Sequence, residues 1–229
     1  MEELQSMLLA YNQSHLENLE HAPWSKQYCE SIFPTYWLLV YKILSKLDRN
    51  LRILEVGCGL GDVTSIPCYL DYKSITAFEK VPENGKRAER KISALFQRHD
   101  IVKIEQYPNG NIYKSDILLV VNCAYADWTK TKPQYMNLIK SYYQSAGEPS
   151  YYILEVIDDS YTKNDSEFPK HIRLNSENIE ALFPCHKIRK WQTYVYPTNR
   201  KSKTLYLIEK QPQIRNPTKV SERCGPNRQ

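Results

Sequence analysis

Hydrophobic and polar positions follow one pattern before residue 51 and a different pattern after it. In the first part, apolar residues recur at three- to four-residue intervals, which is typical of amphipathic helices. This spacing predicts a helix over 2–20, a short helix after Pro23 that Ser25 caps, and a third helix around 37–47. The first fifty residues are therefore predicted to be helical, without a strand.

After residue 51, short apolar runs alternate with helical patterns. The predicted strands are LRILEV, SITAFE, IVKIEQ, DILLVVN and YYILEVI, and the helices between them cover 62–70, 82–97 and 132–145. A short helix near 176–183 precedes KIRKWQTYVYP and KTLYLIEK, which the turn-rich TNRKS separates and which we expect to pair as antiparallel strands. This alternation predicts an α/β fold, a mostly parallel sheet with helices on both faces.

The patterns divide the chain into three parts. Residues 1–50 are predicted to form an N-terminal helical cap, and residues 51–210 a Rossmann-like domain. Residues 211–229 contain three prolines and few apolar side chains, so we expect a basic, flexible tail.

Composition adds limits on the class of protein. With 229 residues, 41% hydrophobic and 25% charged, the chain has globular usage and the length of one domain with an appendage. No apolar run is long enough to span a membrane, and the acidic N-terminus is not that of a secretory signal. Six cysteines without a C-x-x-C pair argue against zinc and against disulfides, so we expect a cytoplasmic location.

The net charge of +5 favours an anionic ligand only mildly. Residues 1–22 carry acidic but no Lys or Arg side chains, and the last nineteen residues are basic. Between them, basic and acidic residues are interspersed, which is typical of a solvated surface rather than of a nucleic-acid-binding stripe. A nucleic-acid partner is therefore not expected.

A cluster of glycines carries the strongest functional signal. Three of the seven glycines, Gly57, Gly59 and Gly61, follow the first predicted strand directly. Without a Cβ, such a turn lets a ligand approach the backbone at the start of a helix. The dinucleotide pattern G-x-G-x-x-G is not met, because its last position is Asp62, whose charge we expect to oppose a pyrophosphate.

The segment E-V-G-C-G-L-G, residues 55–61, resembles motif I of the class I S-adenosylmethionine-dependent methyltransferases. Glu79 ends the next strand, where this family has a carboxylate that binds the two ribose hydroxyls of the cofactor. The resemblance extends from Leu51 to Lys210 and implies a seven-stranded sheet with an antiparallel last strand, and S-adenosylmethionine as cofactor. It assigns cofactor contacts to Glu55, Gly57, Cys58, Gly59, Gly61, Glu79, Lys80 and Asn122.

The segment after the fourth of these strands should lie beside the transferred methyl group, and it resembles two kinds of enzyme. Asn122-Cys123-Ala124-Tyr125 is similar to the N-P-P-Y motif of amino-methylating DNA enzymes, without its two prolines. Residues 122–140 and F-E-K-V-P-E resemble sugar O-methyltransferases of bacterial surface-polysaccharide pathways. We therefore expect a small polar acceptor, such as a sugar hydroxyl. Amino-directed methylation of nucleic acid, and an inactive cofactor-binding module, are the alternatives.

Asp127 and His171 are the candidate catalytic bases for a hydroxyl acceptor. Asp127 has an alternative interpretation as a helix N-cap, and His171 as a surface histidine. Tyr125, Trp128 and Tyr28 are the candidate acceptor contacts, although aromatic residues at helical spacing also suit a core.

The acidic pair that follows the fifth strand is a candidate metal site. Asp158 and Asp159 are more simply explained as a solvated turn, because no further carboxylate is placed beside them, so no metal is predicted. The sequence is compatible with a homo-oligomer.

Overall fold

The computed structural model describes residues 1–20, 22–123, 125, 128–161, 168–195 and 200–211. Their centre is a seven-stranded sheet. The strands are β1 (Ile53–Val56), β2 (Ile75–Glu79), β3 (Val102–Ile104), β4 (Ile117–Val120), β5 (Tyr151–Ile157), β6 (His186–Val195) and β7 (Arg200–Lys210). Their order across the sheet is β3-β2-β1-β4-β5-β7-β6.

The sheet is parallel apart from β7. This strand, the last one among the described residues, lies between β5 and β6 and runs antiparallel to both. The predicted α/β class, the mostly parallel sheet and the antiparallel pair at its end are all confirmed.

Strands β4 and β5 form the buried middle of the sheet because almost every residue in them is apolar. All four residues of β4 are buried, and their side chains alternate between the two faces. Leu118 and Val120 pack with α5 and α6, whereas Ile117 and Leu119 pack in a second cluster with the N-terminal helices. Helices therefore cover both faces, as predicted.

Among the described residues, six α-helices accompany the strands: α1 (Glu2–Gln13), α2 (Thr35–Leu44), α3 (Ser65–Tyr69), α4 (Pro82–Phe96), α5 (Lys132–Ser145) and α6 (Ser176–Leu182). The start of α5 follows from its sequence, because Thr131 accepts a hydrogen bond from the amide of Gln134. At α6, Asn175 and Asn178 form a reciprocal capping box. Within the described ranges, no helix is long and apolar enough to cross a membrane.

The N-terminal segment differs from the prediction in two places. The predicted helix over 2–20 ends at Gln13, and a 3-10 segment follows at Leu16–Glu20. Ser14 and His15 both direct their side chains to the carbonyl oxygen of Tyr11, which competes with a continuing helix. The short second helix is a 3-10 segment over Pro23–Cys29, and Ser25 lies inside it instead of capping it.

The N-terminal helices pack directly on the sheet. Leu8 of α1 and Trp37 of α2 are fully buried in the same cluster as Ile53 and Leu119 of the strands. The boundary at residue 50, which separates the proposed cap from the rest, lies in the turn between α2 and β1. Residues 212–229, which include nearly all of the proposed tail, lie outside the described residues.

Asp62 joins the N-terminal segment to the domain that follows. Its buried carboxylate accepts hydrogen bonds from Asn12 at 3.1 Å and Ser25 at 3.2 Å, and forms an ion pair with Lys91 of α4 at 2.6 Å. The indole of Trp37 donates to its carbonyl oxygen at 2.9 Å. The side chain is thus turned into the interior, and the expectation that Asp62 opposes a bound pyrophosphate is wrong.

This ion pair predicts a large effect of a single substitution. Replacing Lys91 by methionine leaves the Asp62 carboxylate buried without its cation. We therefore expect the free energy of unfolding, measured by urea denaturation, to fall by about 3–5 kcal/mol. Lys86→Met is the matched control on the same helix, because the exposed pair of Lys86 with Glu83 should contribute less than about 1 kcal/mol. A Lys91→Met protein as stable as this control would contradict the prediction.

Candidate active site

A cavity opens where β1, β2 and β4 end. These parallel strands finish at the same edge of the sheet, and the connections after β1 and β4 leave it in opposite directions, which is where open α/β sheets bind ligands. Of the predicted site residues, Gly57, Gly59, Glu79, Lys80, Asn122, Tyr125 and Trp128 line this cavity. These seven residues are therefore brought together around one cavity.

The glycine loop is shaped by two close approaches. Gly57 has φ +67°, and a Cβ there would lie 2.7 Å from the Cβ of Cys123 in the loop after β4. Gly61 has φ +80°, and a Cβ there would lie 3.3 Å from Ala88 of α4. At Gly59 the nearest atom is the indole nitrogen of Trp24, 3.7 Å from the position of a Cβ. Gly57 and Gly61 therefore allow neighbouring residues to pack closely, whereas Gly59 leaves open space at the cavity.

The carboxylate of Glu79 is fixed at the cavity wall by two backbone amides. One oxygen accepts from the amide of Gly59 and the other from the amide of Val81, each at 2.9 Å. The first bond ties the end of β2 to the glycine loop. Both oxygens therefore have a set position and retain lone pairs for a ligand.

Three of the residues assigned to cofactor contacts, Glu55, Cys58 and Gly61, do not line the cavity. Glu55 lies in β1 below the loop and accepts a hydrogen bond from the hydroxyl of Thr64 at 2.7 Å. Burial raises the pKa of Glu55 to about 8, against the lowering effect of that hydrogen bond. Cys58 is buried, and burial raises the pKa of its thiol. Glu55 and Cys58 thus support the loop from beneath.

Asn122 sits at the end of β4 in a left-handed conformation with φ +52°. Its backbone amide donates to Glu155 at 3.1 Å. Its side-chain oxygen accepts from the ammonium of Lys203 at 2.7 Å and from the hydroxyl of Tyr125 at 3.2 Å. Asn122 is therefore fixed by residues of β5 and β7.

Lys203 and Glu155 form a buried ion pair at this side of the cavity. The charged atoms are 3.5 Å apart, and Glu155 also accepts from the hydroxyl of Thr193 at 2.6 Å. The Lys203 ammonium lies 4.9 Å from the centre of the Tyr125 ring, close enough for a cation–π interaction.

The structure places only some of the candidate acceptor and catalytic residues at the cavity. Tyr125 and Trp128 line the cavity, and Trp128 is largely exposed. Tyr28 is instead buried in the core, with its hydroxyl 2.8 Å from that of Tyr36. His171 lies in the 3-10 segment Lys170–Ile172, outside the cavity wall, and Asp127 falls outside the described residues.

Several cavity residues were missed in the sequence. Asn84, Glu105, Gln106 and Tyr107 reach the wall from the ends of neighbouring elements. None of these residues belongs to a local motif. For Glu155 the available signal was a charged residue inside an otherwise apolar strand pattern, whereas Lys203 stands among the polar residues that precede its apolar run.

In the acidic turn after β5, Asp158 and Asp159 form hydrogen bonds and an ion pair with other residues. Asp158 accepts from the amide of Ser160 at 2.9 Å and from the hydroxyl of Thr204 at 3.0 Å, and Asp159 pairs with Lys132 at 3.2 Å. In the part of the chain that the structure describes, no group of three or more His, Cys, Asp and Glu side chains could hold a metal ion.

Comparison with known proteins identifies the fold. No protein-family model matches the chain, and no curated protein matches it in sequence. Among solved structures, an S-adenosylmethionine-dependent methyltransferase from Clostridium acetobutylicum is similar over 86% of this chain and 100% of its own, at 15% identity and TM-score 0.59.

Two further structures agree with it. Magnesium protoporphyrin IX methyltransferase from Synechocystis, with bound S-adenosylmethionine, matches 90% of this chain and 97% of its own, at 12% identity and TM-score 0.56. The N-methyltransferase NodS from Bradyrhizobium japonicum matches 78% and 94%, at 14% identity and TM-score 0.55. The chain therefore has the fold of the class I S-adenosylmethionine-dependent methyltransferases.

Proposed function

We propose that the chain is an S-adenosylmethionine-dependent methyltransferase that acts on a small polar acceptor such as a sugar hydroxyl. The observation that carries this proposal is the joint position of the glycine loop and Glu79 on one cavity wall, at the carboxyl ends of β1 and β2. Structures with this fold include a mitomycin 7-O-methyltransferase, a magnesium protoporphyrin IX methyltransferase and the methyltransferase domain of a bacterial Hen1, so the fold alone selects no acceptor.

The residues present fit the cofactor. The open space at Gly59 suits the close approach of its amino-acid portion, and the two fixed oxygens of Glu79 suit its two adjacent ribose hydroxyls. The wall beyond Glu79 offers Val81 and Tyr107 for the flat, apolar faces of an adenine. When bound, S-adenosylmethionine supplies an electrophilic methyl group on a sulfonium.

On the acceptor side, the chain provides Asn122, Tyr125 and Trp128 in the wall. An amide and a phenol can hydrogen-bond hydroxyl groups, and an indole packs on the apolar face of a sugar ring. We propose that these three residues bind and orient the acceptor, because methyl transfer depends mainly on positioning.

A hydroxyl acceptor also has to lose its proton. Asp127 and His171 remain the candidates for this step. Within the described ranges, the Nε2 atom of His171 is buried without a hydrogen-bond partner. Its side chain therefore has an acceptor or donor site that the described residues do not use.

The first test of the proposal is cofactor binding. We expect S-adenosylhomocysteine to bind in a calorimetric titration, and Glu79→Gln to weaken it about tenfold to a hundredfold, because one hydroxyl loses a charged acceptor. Glu83→Gln is the matched control, since Glu83 is exposed on the first turn of α4 and lies outside the cavity wall. No heat with folded protein at millimolar ligand would refute the proposal, and heat with NAD instead would favour a dinucleotide site.

The second test concerns the loop. Gly57→Ala should weaken S-adenosylhomocysteine at least about tenfold, because the new Cβ collides with Cys123 and a positive φ strains alanine. Gly110→Ala is the control, because Gly110 also has a positive φ, +86°, but no atom lies within 4 Å of a Cβ there. Equal losses of affinity in the two variants would show that backbone strain alone is responsible and that the loop contact is not needed.

A further inference from the structure

The orientation of the Asn122 side-chain amide is decided by Lys203. An ammonium group can only donate hydrogen bonds, so the amide atom 2.7 Å from it has to be the oxygen. The Tyr125 hydroxyl donates to the same oxygen at 3.2 Å. Both bonds place Oδ1 toward β7.

The amide nitrogen is consequently the group that Asn122 offers to a ligand. Asn122 lines the cavity, and among the described residues none bonds its Nδ2. A rotation that presented Oδ1 to the cavity would direct the NH₂ group at the Lys203 ammonium and leave donor against donor. Moving Lys203 away would be energetically unfavourable, because Lys203 is buried and its departure would leave Glu155 without its cation.

A hydrogen-bond donor at this place distinguishes between two kinds of atom that could accept the methyl group. A hydroxyl or carboxylate oxygen has more than one lone pair, so that one can accept from Nδ2 while another attacks the methyl carbon. A neutral amine nitrogen has a single lone pair, which the attack itself requires. An amine would need the opposite amide orientation, with Oδ1 accepting its N–H.

We propose that Lys203 is a positioning residue that holds Asn122 as a hydrogen-bond donor and so restricts the methyl acceptor to an oxygen nucleophile. This inference rests on the proposed methyltransferase function and narrows its substrate class. It argues against the amino-directed reaction that Asn122-Cys123-Ala124-Tyr125 suggests in the sequence. The pair of Lys203 and Glu155 thereby gains a role in specificity besides its role in packing.

The experiment measures transfer of a labelled methyl group at saturating S-adenosylmethionine to two panels of small molecules. The oxygen panel holds monosaccharides, phenols and carboxylic acids, and the nitrogen panel holds alkylamines, adenine and cytosine. We expect label in the oxygen panel only. Asn122→Asp, which replaces the donor by an acceptor of the same shape, should lower that label about tenfold to a hundredfold.

A charge-balanced variant tests Lys203 itself. Lys203→Met with Glu155→Gln removes the ammonium without leaving a buried charge, and Lys187→Met on the exposed side of β6 is the control. We expect the double variant to raise nitrogen-panel label relative to oxygen-panel label about tenfold, because the Asn122 amide can then rotate. A purely structural role would lower both labels together and leave their ratio unchanged.

The outcomes separate this inference from the function on which it rests. Label on an amine by the unaltered protein, an unreduced rate in Asn122→Asp, or an unchanged ratio in the double variant would each overturn the inference alone. Cofactor binding without label in either panel would overturn it too, since the oxygen panel covers the acceptors that it requires. Failure to bind S-adenosylhomocysteine would overturn the proposed function.

Discussion

The proposed cofactor side of the molecule depends on the hydrogen bonds and the ion pair of the buried Asp62 carboxylate. Asp62 follows the glycine loop directly and binds groups from α1, from the 3-10 segment Pro23–Cys29 and from α4. A buried charge is tolerated only with such partners, so the three segments and the loop have to assemble together. Because Trp24 lies in the same 3-10 segment as Ser25, this assembly also sets one wall of the cavity.

A second buried acid, Glu155, has the corresponding role on the acceptor side. It binds the backbone amide of Asn122, the hydroxyl of Thr193 and the ammonium of Lys203. The two ends of the cavity are thus organised in the same way, by a carboxylate in the interior with partners from distant parts of the chain. Neither carboxylate lines the cavity. Both act by fixing the residues that do.

The sequence predicted those parts of the molecule that local physics determines. Helix α5 and strand β5 have the predicted bounds, because periodicity, the Thr131 cap and an apolar run all agree there. Gly57 and Glu79 could be found because each stands at the end of a predicted strand, Gly57 directly after β1 and Glu79 as the last residue of β2. The prediction made helix α1 too long. Hydrophobic spacing does not reveal the hydrogen bond from the Ser14 hydroxyl to the carbonyl oxygen of Tyr11, which competes with a continuing helix.

The rest depended on pairings that no local pattern encodes. Lys203 and Asn122 are 81 positions apart and meet only because β7 crosses the sheet next to β5. Asp62 was misread for a similar reason, since its direction is set by Lys91 and Asn12 rather than by its neighbours in the loop. Side-chain orientation at a site is a property of the tertiary structure, even where the site itself is visible in the sequence.

The position of β7 has a consequence for the order in which the site forms during synthesis. The strand follows all the other described strands along the chain, yet it lies between β5 and β6. As the chain emerges from the ribosome, β1, β2 and the glycine loop are available long before Lys203. Until β7 inserts, Glu155 lacks its cation and Asn122 lacks the group that fixes its amide. The proposed cofactor side can therefore form early, and the proposed acceptor side is completed only when β7 has been translated.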